Sequence, residues 1–386
     1  MSAALALSLD PPWRVAAATL TVRGVARPRS AVRIRLHDGA GGVGHGEALP
    51  LAGYSADDAD VAEHALGLLA GPAALHVASA AALGGAGGPG SAAALLEAVL
   101  APHAALLSGA PSARFALECA LLDLLARRAG LSAAHWLAQG RALQPVPVSA
   151  LLPEDAGPAV AAATRAVRAG HHVLKLKIAR ADRSAAQEHA LLAAVRAAAD
   201  AAAPADIAAA TPVLLRLDAN GTLEPRGAPA RLAELQRHGV ELVEEPVAGA
   251  DLLALPPLPL RWAADESLAD AALAAALLAL PPDRRPAALV LKPALLGLAR
   301  CLALADAAAA CGVGLIVTHA MDADLGLAAA RALAAALPVP PWPCGLAPHP
   351  GLRHPGKSLP WLALPTAPGL DADDALDAAA GQGPPG

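Results

Sequence analysis

The stretch HHVLKLKI at residues 171–178, with PVLLRLD (212–218), VELVEE (240–245), LRWAADE (260–266), AALVLKP (287–293) and VGLIVTH (313–319) after it, decides the fold. Each is an apolar run of strand length, and each is followed by an alanine-rich segment of helical composition. VPVSALL (146–152) opens the series and PCGLAPH (343–349) closes it more weakly. Successive runs end near Lys177, Asp218, Glu244, Asp265, Lys292 and Thr318, at spacings of 41, 26, 21, 27 and 26 residues. A repeating strand-then-helix unit of this length predicts a parallel sheet, because the helix must carry the chain back before the next strand can start. With seven or eight units the sheet is expected to close into an α/β barrel. An open doubly wound sheet is the alternative, but no GxGxxG follows a strand to support a dinucleotide site.

Upstream, residues of about 13–23, 31–37 and 43–49 show β-type alternation, and helical patterns follow near 56–70, 91–107 and 112–129. The expectation is an α+β capping domain over 1–143, a barrel over 144–350 and a terminal segment over 351–386. GGAGGPGS (84–91) has too few side chains to pack and reads as a flexible loop, and the acidic tail ending GQGPPG is expected to fray.

At 386 residues, 55% hydrophobic and 16% charged, the chain has matter for a large core and excludes both a disulfide-stapled miniprotein and a disordered chain. The net charge of −5 and the scattered cations argue against nucleic acid as a partner. Cys119, Cys301, Cys311 and Cys344 form no CxxC pair, no signal peptide is legible, and no apolar run is long enough to span a membrane. A cytoplasmic protein acting on a small molecule is the expectation. Lysine is scarce, four (Lys175, Lys177, Lys292, Lys357) against twenty-five arginines, so the lysines that remain are candidates for chemistry arginine cannot do.

In a barrel the active site lies at the strands' C-terminal ends. Three acids, Asp218, Glu244 and Asp265, end three consecutive runs, and converging carboxylates need a cation between them. Hard oxygen donors suit Mg²⁺, with Mn²⁺ able to substitute. Each acid taken alone could instead cap the following helix. Lys175 and Lys177 stand two apart on a strand and so point the same way, where two close ammonium groups are expected to lower each other's pKa and prepare a general base. Lys292 approaches from the strand after the acids. A metal faced by lysines on two sides suits removal of a proton next to a carboxylate, with the resulting enediolate charge stabilised electrostatically.

KLK, LRLDAN, VEEP, ADES and LVLKP, in that order, resemble the enolase superfamily and its muconate-lactonizing-enzyme subgroup. The resemblance implies a modified TIM barrel, (β/α)7β, with an α+β capping domain to which the C-terminal segment returns. It implies Lys177 as general base, Lys175 as its modulator, Lys292 as the opposing lysine, and Asp218, Glu244 and Asp265 as Mg²⁺ ligands. Within the subgroup the chain is most similar to the o-succinylbenzoate synthases. GHGEALPLAGYS (44–55) resembles their cap loop, which implies substrate contacts at Gly53, Tyr54 and Ser55, although such a turn needs no ligand to exist. Arg216, two residues before Asp218, is implied as a further catalytic residue. Asn220, Thr318, His319 and Met321 would line the substrate. The chain departs from these synthases in THAMDADLG after the seventh strand, where they often have a serine-rich stretch, and in having Thr222 after Asn220-Gly221 where tryptophan is frequent.

The implied reaction is syn dehydration of a cyclohexadiene carboxylate to succinylbenzoate in menaquinone biosynthesis. An N-acylamino acid racemase or dipeptide epimerase uses the same lysine pair and stays open as the alternative. PCGLAPH, at the eighth strand, lacks the Asp-x-Asp that dipeptide epimerases carry there, and Asp322-x-Asp324 lies earlier, at a helix start. A catalytically silent barrel kept for binding is the third reading, and the retained lysines argue against it.

Overall fold

The computed structural model describes residues 5–22, 25–77, 91–203, 212–348, 360, 362–364 and 366–370. The loop expected at 84–91 falls, but for its last residue, outside them, as does the tail beyond 370. Five strands, β1 (Leu5–Leu9), β2 (Trp13–Val22), β3 (Val25–His37), β4 (Val43–Ala48) and β5 (Gly71–Val77), form an antiparallel sheet. Its order is β2-β3-β1-β5, with β4 on β3. The sequence pattern anticipates the β2–β3–β4 meander but not β1 or β5. Those two are short and hold their place by pairing with each other and, for β1, with β3.

Along β3, Val32, Ile34 and Leu36 alternate with Arg33 and Arg35, so one face of the strand is apolar and fully buried. Their ladder partners are Ala48, Gly46 and Gly44, and against this face lies the helix Pro111–Arg128, whose alanines keep it slim. A Cβ on Gly46 would come 2.0 Å from the Ala116 carbonyl oxygen, and one on Gly44 2.1 Å from that of Ala120. The first half of GHGEALPLAGYS is therefore a packing element, since only glycine lets strand and helix backbones approach this closely.

The second sheet has seven parallel strands in sequence order: β6 (Ala150–Leu151), β7 (Val173–Lys177), β8 (Leu214–Asp218), β9 (Val240–Glu244), β10 (Arg261–Ala264), β11 (Ala288–Leu291) and β12 (Gly314–Val317). Between its ends, Cys344 bridges to Val148 and Gly345 to Thr318, so this short segment stands where an eighth strand would. Leu242, Ala263, Ala288, Val290 and Ile316, with Trp342 against them, make one small apolar cluster. The pleat has period two, so the same face of the sheet carries Lys175 and Lys177, Arg216 and Asp218, Leu242 and Glu244, Ala263 and Asp265, and Val290 and Lys292. That face is the barrel interior, and its last layer is the charged one.

Cap and barrel are joined by buried polar contacts. Glu118, on the cap helix Pro111–Arg128, accepts the backbone N–H of Leu298 at the start of the barrel helix Leu298–Ala310. Arg29 on β3 donates to the carbonyls of Leu49 in the cap loop (2.6 Å) and Met321 after β12 (2.6 Å). In the terminal segment, Val148 N–H donates to Pro360 O (2.8 Å) and Leu370 N–H to Asp123 Oδ1 (2.9 Å) on the cap helix.

Candidate active site

Asp218 ends β8, Glu244 ends β9 and Asp265 follows β10, so three neighbouring strands each deliver one inward carboxylate. All three are buried, at 2–3% exposure, and one oxygen from each lies within 4.8 Å of the others. Lys175 Nζ sits between two of them, 3.0 Å from Asp218 Oδ2 and in close contact with Glu244. Lys292, just past β11, reaches Asp265 Oδ2 at 2.7 Å and Glu266 Oε1 at 3.7 Å.

The charges settle unevenly. Burial works against the ammonium of Lys175, but Glu244 and Asp218 outweigh it and hold the amine protonated, well above the ordinary lysine range. Lys292 is shifted the same way, with Asp265 overcoming burial. The expectation that Lys175 and Lys177 lower each other's pKa is thus corrected for Lys175, because the carboxylates are nearer to it than any like charge. Asp218 stays below the usual carboxylate range because Lys175 outweighs its burial. Burial pushes Asp265 up to about 7 against the pull of Lys292.

Three carboxylates facing two ammonium groups leave a buried set of hard oxygens with spare negative charge. Among the described residues no thiolate or imidazole joins the set. This donor chemistry fits a divalent cation of the Mg²⁺ type.

Lys177 is engaged differently from Lys175. Its Nζ donates to the Tyr54 hydroxyl at 2.8 Å and lies 5.4 Å from the ring centre. Tyr54 is the chain's one tyrosine and is 45% exposed, on the cap loop. Gly53 precedes it at φ +85 in the turn. Ser55 is turned inward to the loop, accepting the Leu51 N–H with its hydroxyl at 2.8 Å. Asn220 donates its backbone N–H to Asp218 Oδ1 (3.0 Å) and its side-chain amide to Glu266 Oε1 (3.0 Å), bracing the C-terminal end of β8.

Other expected site residues are occupied elsewhere. Arg216 lies one layer deeper than Asp218, donating to Glu241 Oε2 (2.8 Å) and Pro343 O (2.7 Å) with its guanidinium 5.8 Å from the Trp342 ring centre. It is thus placed as a filler of the barrel interior and not with the carboxylates. Thr318 donates to Gly345 O (3.1 Å), and His319 Nε2 lies 2.9 Å from Ala347 O, so both help to hold the closing segment. Met321 contributes its carbonyl to Arg29.

Two residues missed by the sequence reading belong here. Glu245, the second acid of VEEP, accepts the backbone N–H of Asp265 (2.7 Å) and of Ser267 (3.1 Å), which fixes the neighbouring carboxylate. Glu266 links Asn220 to Lys292. Each is adjacent in sequence to a carboxylate of the triad, a position whose side chain points away from the interior along a regular strand, so periodicity alone gives no reason to select it.

Residues 159–371 match the enolase C-terminal domain-like family. The o-succinylbenzoate synthase of Desulfotalea psychrophila is 33% identical over 230 residues, 57% of this chain and 57% of that protein. That of Thermobifida fusca is 36% identical over 205 residues, 52% and 59% respectively. The chain therefore spans little more than half the length of the curated relatives it matches. Among solved structures, the L-Ala-D/L-Glu epimerase of Bacillus subtilis in a substrate-liganded complex superposes with a TM-score of 0.76 at 24% identity, covering 95% of this chain and 98% of that one. Muconate lactonizing enzyme of Pseudomonas putida gives 0.74 at 21%, covering 96% and 99%. At such identities the likeness speaks for the fold: a capped parallel barrel shared across several activities.

Proposed function

The chain belongs to the enolase C-terminal domain-like family, and from that premise we propose that it is a magnesium-dependent lyase of the o-succinylbenzoate synthase type. The reaction is loss of water from 2-succinyl-6-hydroxy-2,4-cyclohexadiene-1-carboxylate to give 2-succinylbenzoate, a step of menaquinone biosynthesis. One observation carries the reading. The carboxylates of β8, β9 and β10 lie between Lys177 on β7 and Lys292 after β11, so a substrate carboxylate held at the triad has an amine on each side.

Asp218, Glu244 and Asp265 would hold the metal. When bound, Mg²⁺ supplies positive charge to the carboxylate oxygens on which negative charge builds as the α-proton leaves. Lys177, as the free amine, takes the hydrogen from the carbon bearing the carboxylate. The electrons left behind move first onto the substrate carboxylate, giving the enediolate, and then form the ring double bond as the carbon–oxygen bond of the neighbouring hydroxyl breaks. The new ammonium of Lys177 returns its proton to the departing hydroxide, giving water and the unprotonated amine again. One amine serving both events requires hydrogen and hydroxide to leave from one face, which is the syn course. Lys292 stays charged beside Asp265 and stabilises the enediolate electrostatically. Tyr54 orients the Lys177 amine through the bond to its hydroxyl.

The epimerase alternative needs a carboxylate to receive a substrate ammonium group. Among the described residues, Cys344–Leu346 offer none, and their carbonyls are engaged by Thr318 and Arg331. Asp322 is buried at 2% exposure and accepts the Ala320 N–H at 3.3 Å, and Asp324 lies in the first turn of the helix Asp324–Ala335. This favours the synthase reading. The test is turnover of the cyclohexadiene carboxylate by the purified protein with Mg²⁺, followed by the absorbance of the aromatic product. Absence of product together with racemisation of N-acylamino acids would transfer the chain to the racemase activity.

A further inference from the structure

Behind Lys177 the strand ends in a turn that two neighbouring elements hold from outside the site. Ala179 adopts φ +55, a left-handed conformation costly for any residue with a Cβ. Its N–H donates to Glu188 Oε2 at 2.6 Å. Its carbonyl lies 3.3 Å from the Thr222 hydroxyl, which also reaches Ala219 O at 2.7 Å. Thr222 thus joins the turns after β7 and β8, a role that needs a short hydroxyl side chain. Between Lys177 and Ala179, Ile178 donates to Asp218 O at 2.9 Å. The N–H groups of Ile178 and Ala179 and the carbonyl of Ala179 are therefore all directed.

Glu188 is itself fixed. It lies in the first turn of the helix Ala185–Ala202, directly after the Ser184–Gln187 capping box, and is 4% exposed. Its other oxygen takes Arg231, from the helix Ala228–Leu235. Arg231 is anchored in turn by Glu234 Oε2 (2.9 Å) and lies 2.7 Å from His189 Nε2. A buried carboxylate with an arginine on one oxygen and a strained backbone N–H on the other is a rigid strut, because releasing the arginine would leave a buried charge unpaired and releasing the N–H would leave a donor without its bond.

We propose that Glu188, braced by Arg231, is a positioning residue for Lys177. By holding Ala179 left-handed it sets the direction in which Lys177 leaves the strand, and with it the placement of the amine under Tyr54. This rests on the reading of Lys177 as the general base.

The test uses the full chain with Glu188→Ala, Glu188→Gln and Thr222→Val. With Glu188→Ala, kcat falls roughly tenfold to a hundredfold, as misplacement of a reacting group by about 1 Å does, while KM stays within about twofold. Glu188→Gln recovers part of the loss, because its amide oxygen can still accept from Ala179. Thr222→Val, which removes one hydroxyl and no charge, lowers kcat in the same sense should the alanine variant not fold.

A second readout needs no substrate. The chain has four lysines, so [ε-¹³C]lysine labelling gives four NMR signals assignable by lysine-to-arginine replacements. Glu188→Ala shifts the Lys177 signal and leaves that of Lys292 in place. An unmoved Lys177 signal, or equal movement of both, overturns the proposal. A selective Lys177 shift in a protein that does not turn over the cyclohexadiene carboxylate leaves the strut standing and removes the synthase reading.

Discussion

Replacing Glu118 with glutamine asks whether burial or ion pairing governs the junction of cap and barrel. The Glu118 side chain is fully buried, accepts the Leu298 N–H and takes Arg114 Nε at 3.2 Å. Gly297, at φ +85, allows the approach, since a Cβ there would meet Glu118 Oε2 at 2.9 Å. Burial pushes the carboxyl from its usual 4.5 up to about 7 despite Arg114 and the backbone donor. A rise of that size corresponds to about 3 kcal/mol. Because the folded value is the higher one, the contribution is fully present below pH 4.5 and is lost as the pH rises through about 7. Glutamine keeps an oxygen for Leu298 and cannot ionise. The stability of Glu118→Gln relative to the parent should therefore improve by about 3 kcal/mol between roughly pH 4 and pH 8. Other buried acids raised to about 7, Asp265 and Asp322, are common to both proteins and cancel in the difference. Urea unfolding of the two proteins at a series of pH values, followed by tryptophan fluorescence, measures the gap. A gap that does not change with pH, or one that moves in favour of the parent as pH rises, would refute the reasoning and give the junction to the Glu118–Arg114 pair.

Adding Mg²⁺ should raise the thermal midpoint, by the equivalent of about 3 kcal/mol at a hundred times the dissociation constant, and calorimetric titration should find no such binding in Asp218→Asn. Lys177→Arg should lose activity as completely as Lys177→Ala, by about 10²- to 10⁴-fold, because a guanidinium cannot accept the proton. Lys292→Arg should retain more turnover than Lys292→Ala if the requirement there is for charge alone, and steady-state rates of the four variants decide both points. Gly46→Ala should destabilise the cap by about 1–3 kcal/mol or more, read as a lowered melting temperature, since the new methyl meets the Ala116 carbonyl.

Much of the barrel is legible before any coordinates because apolar runs with alternating inward positions survive even in an alanine-rich chain. The β period of two also picks out the inward residue at each strand end, which is why Lys177, Asp218, Glu244, Asp265 and Lys292 can be selected together. Depth within the barrel is not carried by that period. Arg216 shares the face of Asp218 yet lies a layer below, tied to Glu241 and under Trp342. β1 (LALSL) alternates but over only five residues, and in β5 (GPAALHV) the alternation is confined to the last few, so their ladder is what makes them strands. Glu245 and Glu188 act from off the inward face, where a pattern search has no reason to look.

The sequence by itself determined the succession of the barrel strands and which of their side chains point inward, since both follow from covalent spacing and the pleat. Only the tertiary structure decided which of those side chains meet. Lys175 bonds Glu244 across 69 residues of chain, and Lys177 bonds Tyr54 across 123. Two lysines on one strand face thereby acquire different partners, because the curl of the sheet and the seat of the cap, rather than any local repeat, bring the carboxylates to one and the tyrosine to the other.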